Sequence, residues 1–366
     1  METSNRPAWM LPSPERTDEP PVGGLRGRLL RLMQGQSLSR EQARGLLNEL
    51  LDGSATDTQI AAALVALAIK GETVDELAGM AEAMRAHSAK IKSKHEKFID
   101  TAGTGSSRAK TFNVSTAAAF VIAGAGLPVA KHGSRAATSR SGSADVLKAL
   151  GVNVSAPPEV SERCLNETGI CFMFAPLYHA STARVAAVRR DLSVHTTFNL
   201  LGPLTNPAGA PFQIIGVWHE ALVPQVANTL ALLGIKRAFV VHGLDGLDEI
   251  TITNSTKVAQ IENEAVSFFE ISPEDFGFKR AGIEDLRNLR GGAPEDNAKI
   301  IDEVLKNERH DAARSLVLMN AAAALFIAGF AENLQTATHL ATESLESGKA
   351  AQALQNLIQF TNLQNS

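Results

Sequence analysis

Four short segments hold most of the residues that could do chemistry. The first is Asp100-Thr101-Ala102-Gly103-Thr104-Gly105-Ser106-Ser107, followed by Arg108, Lys110 and Thr111-Phe112-Asn113-Val114-Ser115-Thr116. Its glycines allow backbone N–H groups to approach an anion closely. The Asn-Val-Ser-Thr run opens an alanine-rich helix, where free N–H groups and the helix dipole favour phosphate. It matches neither the Walker A loop nor the dinucleotide fingerprint. Taken alone it could equally be an ordinary turn, because tight turns also demand glycine.

The second segment, Lys131-His132-Gly133-Ser134-Arg135 through Asp145, sets Lys131, Arg135, Arg140 and five hydroxyls within thirteen residues. A solvated polar loop is the plain alternative, but two such loops follow successive strands, and ligands of open α/β sheets sit at those strand ends. The third is the adjacent pair Asp248-Glu249, where two carboxylates repel unless a cation compensates them. Hard oxygen ligands of this kind suit Mg²⁺ bridging to phosphate, although acidic pairs in turns are commonly just solvated. The fourth joins Arg189-Arg190 to Phe198-Asn199-Leu200-Leu201-Gly202-Pro203-Leu204-Thr205-Asn206-Pro207. An arginine fork can hold a carboxylate through two parallel hydrogen bonds, while the stretch after it reads as a rigid connection between lobes.

The elements that must position these segments divide the chain in two. From Gly24 to Ser88 the pattern is helical, with three start signals: Ser39 with Gln42, Thr56 with Gln59, and Thr73 with Glu76. After Lys97 short apolar runs alternate with helical patterns. They predict strands at Phe98–Asp100, Leu127–Ala130, Val152–Val154, Ile170–Phe174, Gln213–Trp218 and Ala238–Val241. Such alternation predicts an α/β class with a largely parallel sheet covered on its faces. The runs Glu249–Thr253, Lys257–Ile261 and Val266–Glu270 predict an antiparallel excursion. Helices return from Pro294, including the apolar run Asn320–Ala328. The resulting division is a disordered, proline-rich tail over 1–22 and a small all-helical N-terminal domain over 23–92. A large α/β domain with a mostly parallel central sheet covers 93–366, and residues near 180–208 add to the helical unit.

Composition narrows the class. The 366 residues are 44% hydrophobic and 20% charged, an ordinary globular balance. The formal net charge of −4 supplies no basic field for nucleic acid, so a nucleic-acid-binding relative of the same fold is the weaker alternative. No stretch has the length and apolarity of a membrane span. Cys164 and Cys171 lack metal-ligand spacing and read as buried free thiols, which fits the cytoplasm.

Together the segments resemble the anthranilate phosphoribosyltransferase family, the tryptophan-pathway branch of the nucleoside phosphorylase-like transferases. The resemblance runs from about Gly24 to the C-terminal helices and rests on the order of Gly-Thr-Gly, Thr-Phe-Asn-Val-Ser-Thr, Lys-His-Gly, Ser-Gly-Ser-Ala-Asp, the long Asn-Pro-ended stretch and Asp-Glu. It implies transfer of a phosphoribosyl group from phosphoribosyl pyrophosphate to the amine of anthranilate, assisted by Mg²⁺, in a homodimer formed through the helical domain. By the same resemblance Gly103, Ser106, Ser107, Thr111, Asn113, Val114, Ser115, Thr116, Lys131, His132, Gly133, Ser139 and Ser143 hold the donor. Gly103, Ser134, His179 and Arg189 face the acceptor, while Ser115, Asp248 and Glu249 serve the metal. His132 is the candidate proton acceptor, with a purely structural hydrogen bond as its alternative. The chain departs from the family's usual pattern at Ser106-Ser107 (Gly-Asp), Ser134 (Asn), Ala180-Ser181-Thr182 (Pro-Ala-Met) and His195 (Arg). Those changes leave open a related transferase with another aromatic acceptor.

Overall fold

Local capping chemistry starts the N-terminal helices where the sequence predicts. α1 (Gly24–Met33) is followed by α2 (Arg40–Leu51), α3 (Asp57–Lys70) and α4 (Val74–Ala86). Ser39, Thr56 and Thr73 each cap one of the last three, and Gln42, Gln59 and Glu76 return the bond to the cap's own N–H. Their apolar faces turn inward, with Leu46, Leu47, Ile60, Leu64 and Leu77 buried. The computed structural model of the protein describes residues 23–105, 109, 111–136 and 141–363. The tail expected over 1–22, and Ser106, Ser107, Arg108, Lys110, Ser139 and Arg140, lie outside the described residues.

Seven strands follow: β1 (Ile99–Asp100), β2 (Val129–Gly133), β3 (Ile170–Phe174), β4 (Phe212–Gly216), β5 (Arg237–Gly243), β6 (Thr256–Glu262) and β7 (Ala265–Ile271). They form one sheet in the order β3-β2-β1-β4-β5-β6-β7. The first five pair in parallel and the last two antiparallel. Asn263 and Glu264, both with positive φ, make the tight turn between β6 and β7. Helices α5 (Val114–Gly124), α6 (Ser143–Ala149) and α7 (Pro158–Thr168) connect the early strands. Between β3 and β4 lie α8 (Ala175–Tyr178), α9 (Ala183–Leu192) and α10 (Thr197–Leu204), and α11 (Leu222–Leu232) links β4 to β5. The chain closes with α12 (Ile283–Asn288), α13 (Pro294–Leu305), α14 (Ala312–Ile327), α15 (Leu334–Glu346) and α16 (Lys349–Asn362).

Strand alternation divides the interior into two cores. Ile214, Phe239 and Val241 face one core with α5 and α14, whereas Ile215, Ala238 and Val240 face another. That second core also contains the leucines of α2–α4, Val185 and Val188 of α9, and Leu200, Leu201 and Leu204 of α10. The helical unit is therefore packed directly onto one face of the sheet.

Two predicted strands are not strands. Val152 and Val154 are buried as alternation implies, but the backbone N–H of Asn153 between them bonds Thr361 Oγ1 at 3.2 Å and its amide bonds Thr361 O at 3.1 Å. A helix, rather than a neighbouring strand, satisfies this segment. Residues 249–253 likewise bury Ile250 and Ile252 without pairing in the sheet. β2 runs further than predicted, through Gly133, so Lys131 and His132 belong to the strand rather than to the loop.

Candidate active site

Strand order reverses between β1 and its neighbours: β2 and β3 lie on one side, β4 and β5 on the other. Such a switch point opens a crevice at the carboxyl ends of the strands. A cleft of about 610 Å³ occupies it. Gly103, Thr111, Asn113, Ser115, Lys131, His132, Gly133, Ser134, Ser143, His179, Arg189, Asp248 and Glu249 all line this one cleft. Val114 and Thr116, expected beside them, do not line it; both are fully buried within the helix packing. His195 is also away from the cleft, exposed and with its ring 4.9 Å from that of Trp218.

One wall is a network of buried charge. Asp100 accepts from the N–H groups of Ala102 and His132, both at 3.1 Å, and from Asn206 Nδ2 at 2.7 Å. Asn206 also donates to Ala130 O at 2.9 Å. One carboxylate thus ties the glycine loop, β2 and the Thr205–Pro207 turn together. Burial raises its pKa to about 6, against the opposing pull of Lys131 and these donors. Lys131 Nζ reaches Thr101 Oγ1 at 3.1 Å, Thr101 O at 3.3 Å and Ser115 Oγ at 3.3 Å. Burial pushes the Lys131 ammonium down, and Asp100 and Glu249 hold it up.

Glu249 sits against the start of α5, where the Ser115 N–H bonds it. Burial and then the adjacent Asp248 raise its pKa to about 8. Among the described residues no set of three or more His, Cys, Asp and Glu side chains could hold a metal by themselves. Two carboxylates and a hydroxyl are instead the partial oxygen set of a site completed by phosphate oxygens and water.

Adjacent strand residues serve opposite walls, as their alternation requires. Where Lys131 turns to Ser115, His132 turns to α10, its Nδ1 3.2 Å from Gly202 O. A carbonyl can only accept, so Nδ1 carries the proton and Nε2 is left as a buried acceptor with no partner among the described residues. Burial and then neighbouring His179, 5.2 Å away between ring centroids, lower the pKa of His132 to about 3. Burial likewise lowers His179 to about 4. Both rings are neutral near pH 7.

Arg189 lies on this second wall, over the Phe198 ring at 5.4 Å, with Asn199 Oδ1 accepting from Nη2 at 3.3 Å. Its Nε is buried without a partner, and it makes no ion pair among the described residues. Met84 of α4, Ala183 and Ala186 of α9, and Pro203 complete an apolar lining around it. Sequence reasoning had assigned no role to Asp100, Asn199, Asn206 or Gly216. The first three lay inside quoted motifs; Gly216, merely the end of an apolar strand, carried no signal of its own.

This architecture is shared. Residues 28–88 match the profile described as the glycosyl transferase family, helical bundle domain, and residues 95–351 match the glycosyl transferase family, a/b domain. Fold and site together define a two-domain glycosyl transferase. The chain is 48% identical to an anthranilate phosphoribosyltransferase of Moorella thermoacetica over 91% of its own length and 97% of the relative's. It is 47% identical to that of Desulfosudis oleivorans, again over 91% and 97%. The crystal structure of the Thermus thermophilus anthranilate phosphoribosyltransferase superposes with a TM-score of 0.86 at 38% identity, covering 92% of this chain and 99% of the other. The Saccharomyces cerevisiae enzyme in complex with PRPP and Mg does so at 0.83 and 28%, covering 93% and 98%. The chain belongs to the anthranilate phosphoribosyltransferase family.

Proposed function

We propose that the protein transfers the phosphoribosyl group of 5-phosphoribosyl 1-pyrophosphate to the amine of anthranilate, releasing pyrophosphate, in tryptophan biosynthesis. The observation that carries this reading is the division of one cleft. Glycine-loop amides, Lys131, Ser115 and the Asp248–Glu249 pair form one wall, and a half-buried guanidinium without an ion-pair partner among the described residues lies among apolar side chains on the other.

The first wall suits a polyanionic donor. Gly103 and Gly105 offer backbone N–H groups to phosphate, whereas those of Thr104, Val114 and Thr116 bond Gly216 O, Phe112 O and Asn113 O within the protein, and Asn113 holds α5 to the second loop through Ser141 O at 3.2 Å. Asp248, Glu249 and the Ser115 hydroxyl would hold Mg²⁺, which when bound screens the charge of the departing pyrophosphate. The second wall suits anthranilate: Arg189 pairs with its carboxylate, while Phe198, Met84 and Pro203 cover its ring. The aniline nitrogen is already a free nucleophile near neutral pH. Positioning beside the anomeric carbon and stabilisation of charge therefore supply most of the rate. His132 and His179 stay neutral here, and His132 Nε2 offers the amine a hydrogen-bond acceptor rather than a charged acid.

The direct test follows anthranilate fluorescence with donor and Mg²⁺ present. Loss of signal that requires all three components is expected, and turnover of another aromatic amine in place of anthranilate overturns the acceptor. Arg189→Ala should raise the KM for anthranilate roughly ten- to a hundredfold, the worth of a charge-assisted hydrogen bond, with the donor KM unchanged. Equal weakening of both substrates counts against this role.

The assembly is proposed as a homodimer through the helical unit. Leu30, Met33, Val65 and Ile69 are exposed on α1 and α3, which pack against each other, Ile69 by 82%, and exposed apolar side chains on neighbouring helices suit a partner face. Light scattering should give a dimer for the native chain and a monomer for Ile69→Glu; a native monomer refutes it. A cytoplasmic address is consistent with the buried free thiols of Cys164 and Cys171.

A further inference from the structure

The carboxylate pair lies in a segment without regular secondary structure, between β5 and β6. Two carboxylates side by side, half-buried at the cleft, repel each other, and an unsupported loop would relax by swinging one of them to solvent. Something outside the loop has to hold it.

That support comes from Asn320, on the mostly apolar helix α14. The side chain is 4% exposed. Its Nδ2 donates to Ile250 O at 3.0 Å, and its Oδ1 accepts from Ile250 N at 3.1 Å. Nδ2 also donates to Leu316 O at 2.9 Å, one turn back. The amide thus copies the paired hydrogen bonds of a neighbouring strand for one residue only, the residue directly after Glu249. Residues around it in α14 are Leu, Met and Ala, all buried. A buried amide in such a helix is unfavourable unless its polar atoms are matched, and here the match is the backbone of Ile250. Asn320 and Glu249 also border the same small void beneath the cleft, together with Thr101, Gly103 and Ser115.

We propose that Asn320 is a positioning residue for the cation used in the transfer reaction: by clamping both backbone groups of Ile250, it holds Asp248 and Glu249 side by side at the cleft. The proposal rests on reading that pair as the cation site. It assigns Asn320 no contact with substrate or cation. Its loss should act on cation affinity far more than on acceptor binding.

The test uses the full-length protein with phosphoribosyl pyrophosphate and Mn²⁺, read by the electron paramagnetic resonance signal of free Mn²⁺. Asn320→Leu removes the amide while keeping its approximate shape. Asn320→Ser, which can still bond the Leu316 carbonyl within the helix, serves if the leucine variant does not fold. The Mn²⁺ midpoint should rise roughly ten- to a hundredfold, as for other residues that orient metal ligands without touching the metal, with the KM for anthranilate within about twofold of native. Ser344→Ala is the control for general loosening, since it deletes another buried bond, from α15 to Val121 O of α5 at 2.8 Å, which does not involve the loop. It should lower thermal stability and leave the midpoint in place. A folded Asn320 variant with a native midpoint overturns the proposal, and so does a Ser344→Ala variant that shifts the midpoint equally. If the native protein itself binds no Mn²⁺ at this site, the cation reading fails, and the Asn320 assignment with it. Native binding beside unshifted variants defeats the Asn320 assignment alone.

Discussion

Replacing Asp248 and Glu249 together by alanine is expected to abolish Mg²⁺-dependent turnover while leaving the fold intact. The pair serves the site at the expense of the resting protein, because burial and mutual repulsion hold Glu249 up to about 8, well above the usual carboxylate range. In the folded protein Glu249 therefore keeps a proton that an unfolded chain releases near 4.5. The sign follows from proton linkage. Stability contributed by this group is present below that value and is lost as the pH rises toward 8. A cation must displace the same proton, so cation binding strengthens across the same interval. Without cation, the double variant should melt no lower than the native protein at pH 8, and Glu249→Gln should flatten the decline in stability between pH 5 and 8. Thermal melts with and without Mg²⁺, beside initial rates, check both halves. Near-native turnover by the double variant would rule out the metal assignment.

Gly216→Ala should be nearly as damaging, although it adds a single methyl group and touches no charged atom. A Cβ built at Gly216 would lie 1.6 Å from Asp248 O and 2.6 Å from Asp248 C. The obstacle is backbone, which cannot rotate aside as a side chain can. The same glycine accepts at its carbonyl from Thr104 N at 2.8 Å and Thr104 Oγ1 at 3.1 Å. It is thus the point where the donor loop and the carboxylate loop meet across the switch between β1 and β4. Forcing them apart should cost about 1–3 kcal/mol of stability, typical of overpacking. Displacement of about 1 Å at the reacting groups should lower kcat/KM by roughly a hundredfold or more. Circular dichroism melts and steady-state rates measured together separate the two effects. An alanine variant that folds and turns over normally would show that the two loops move freely of each other.

Much of this architecture was readable along the chain. The three N-terminal helix starts were legible because a capping box needs only residues at positions i and i+3, so Ser39, Thr56 and Thr73 announced themselves. β3, β4, β5 and the β6–β7 hairpin were legible through short apolar runs and turn chemistry. Where alternation misled, at Val152–Val154 and Glu249–Thr253, the apolar side chains are indeed buried, and in the second segment Thr251 between them is buried as well. Their backbone groups, however, bond to Thr361, Asn320 and Thr256 rather than to a strand. Alternation reports burial, not the partner that satisfies the backbone.

The site divided in the same way. Sequence by itself determined which groups the protein has available: a glycine loop feeding a helix start, a lysine and histidine side by side, an acidic pair, and an arginine followed by a rigid turn. Only the tertiary structure decided that they share one cleft, that Lys131 and His132 face opposite walls, and that Val114 and Thr116 belong to the packing. It also decided which silent residues hold the site together: Gly216 by lacking a side chain, Asn206 by bonding Asp100, and Asn320 by bonding Ile250. The reason is physical. Phosphate-binding turns, caps and strand periodicity arise between residues close in the chain, whereas the polar matches and close approaches that fix this site join Gly216 to Asp248, Asn320 to Ile250 and Asn206 to Asp100, residues far apart in the chain, and no local pattern encodes them.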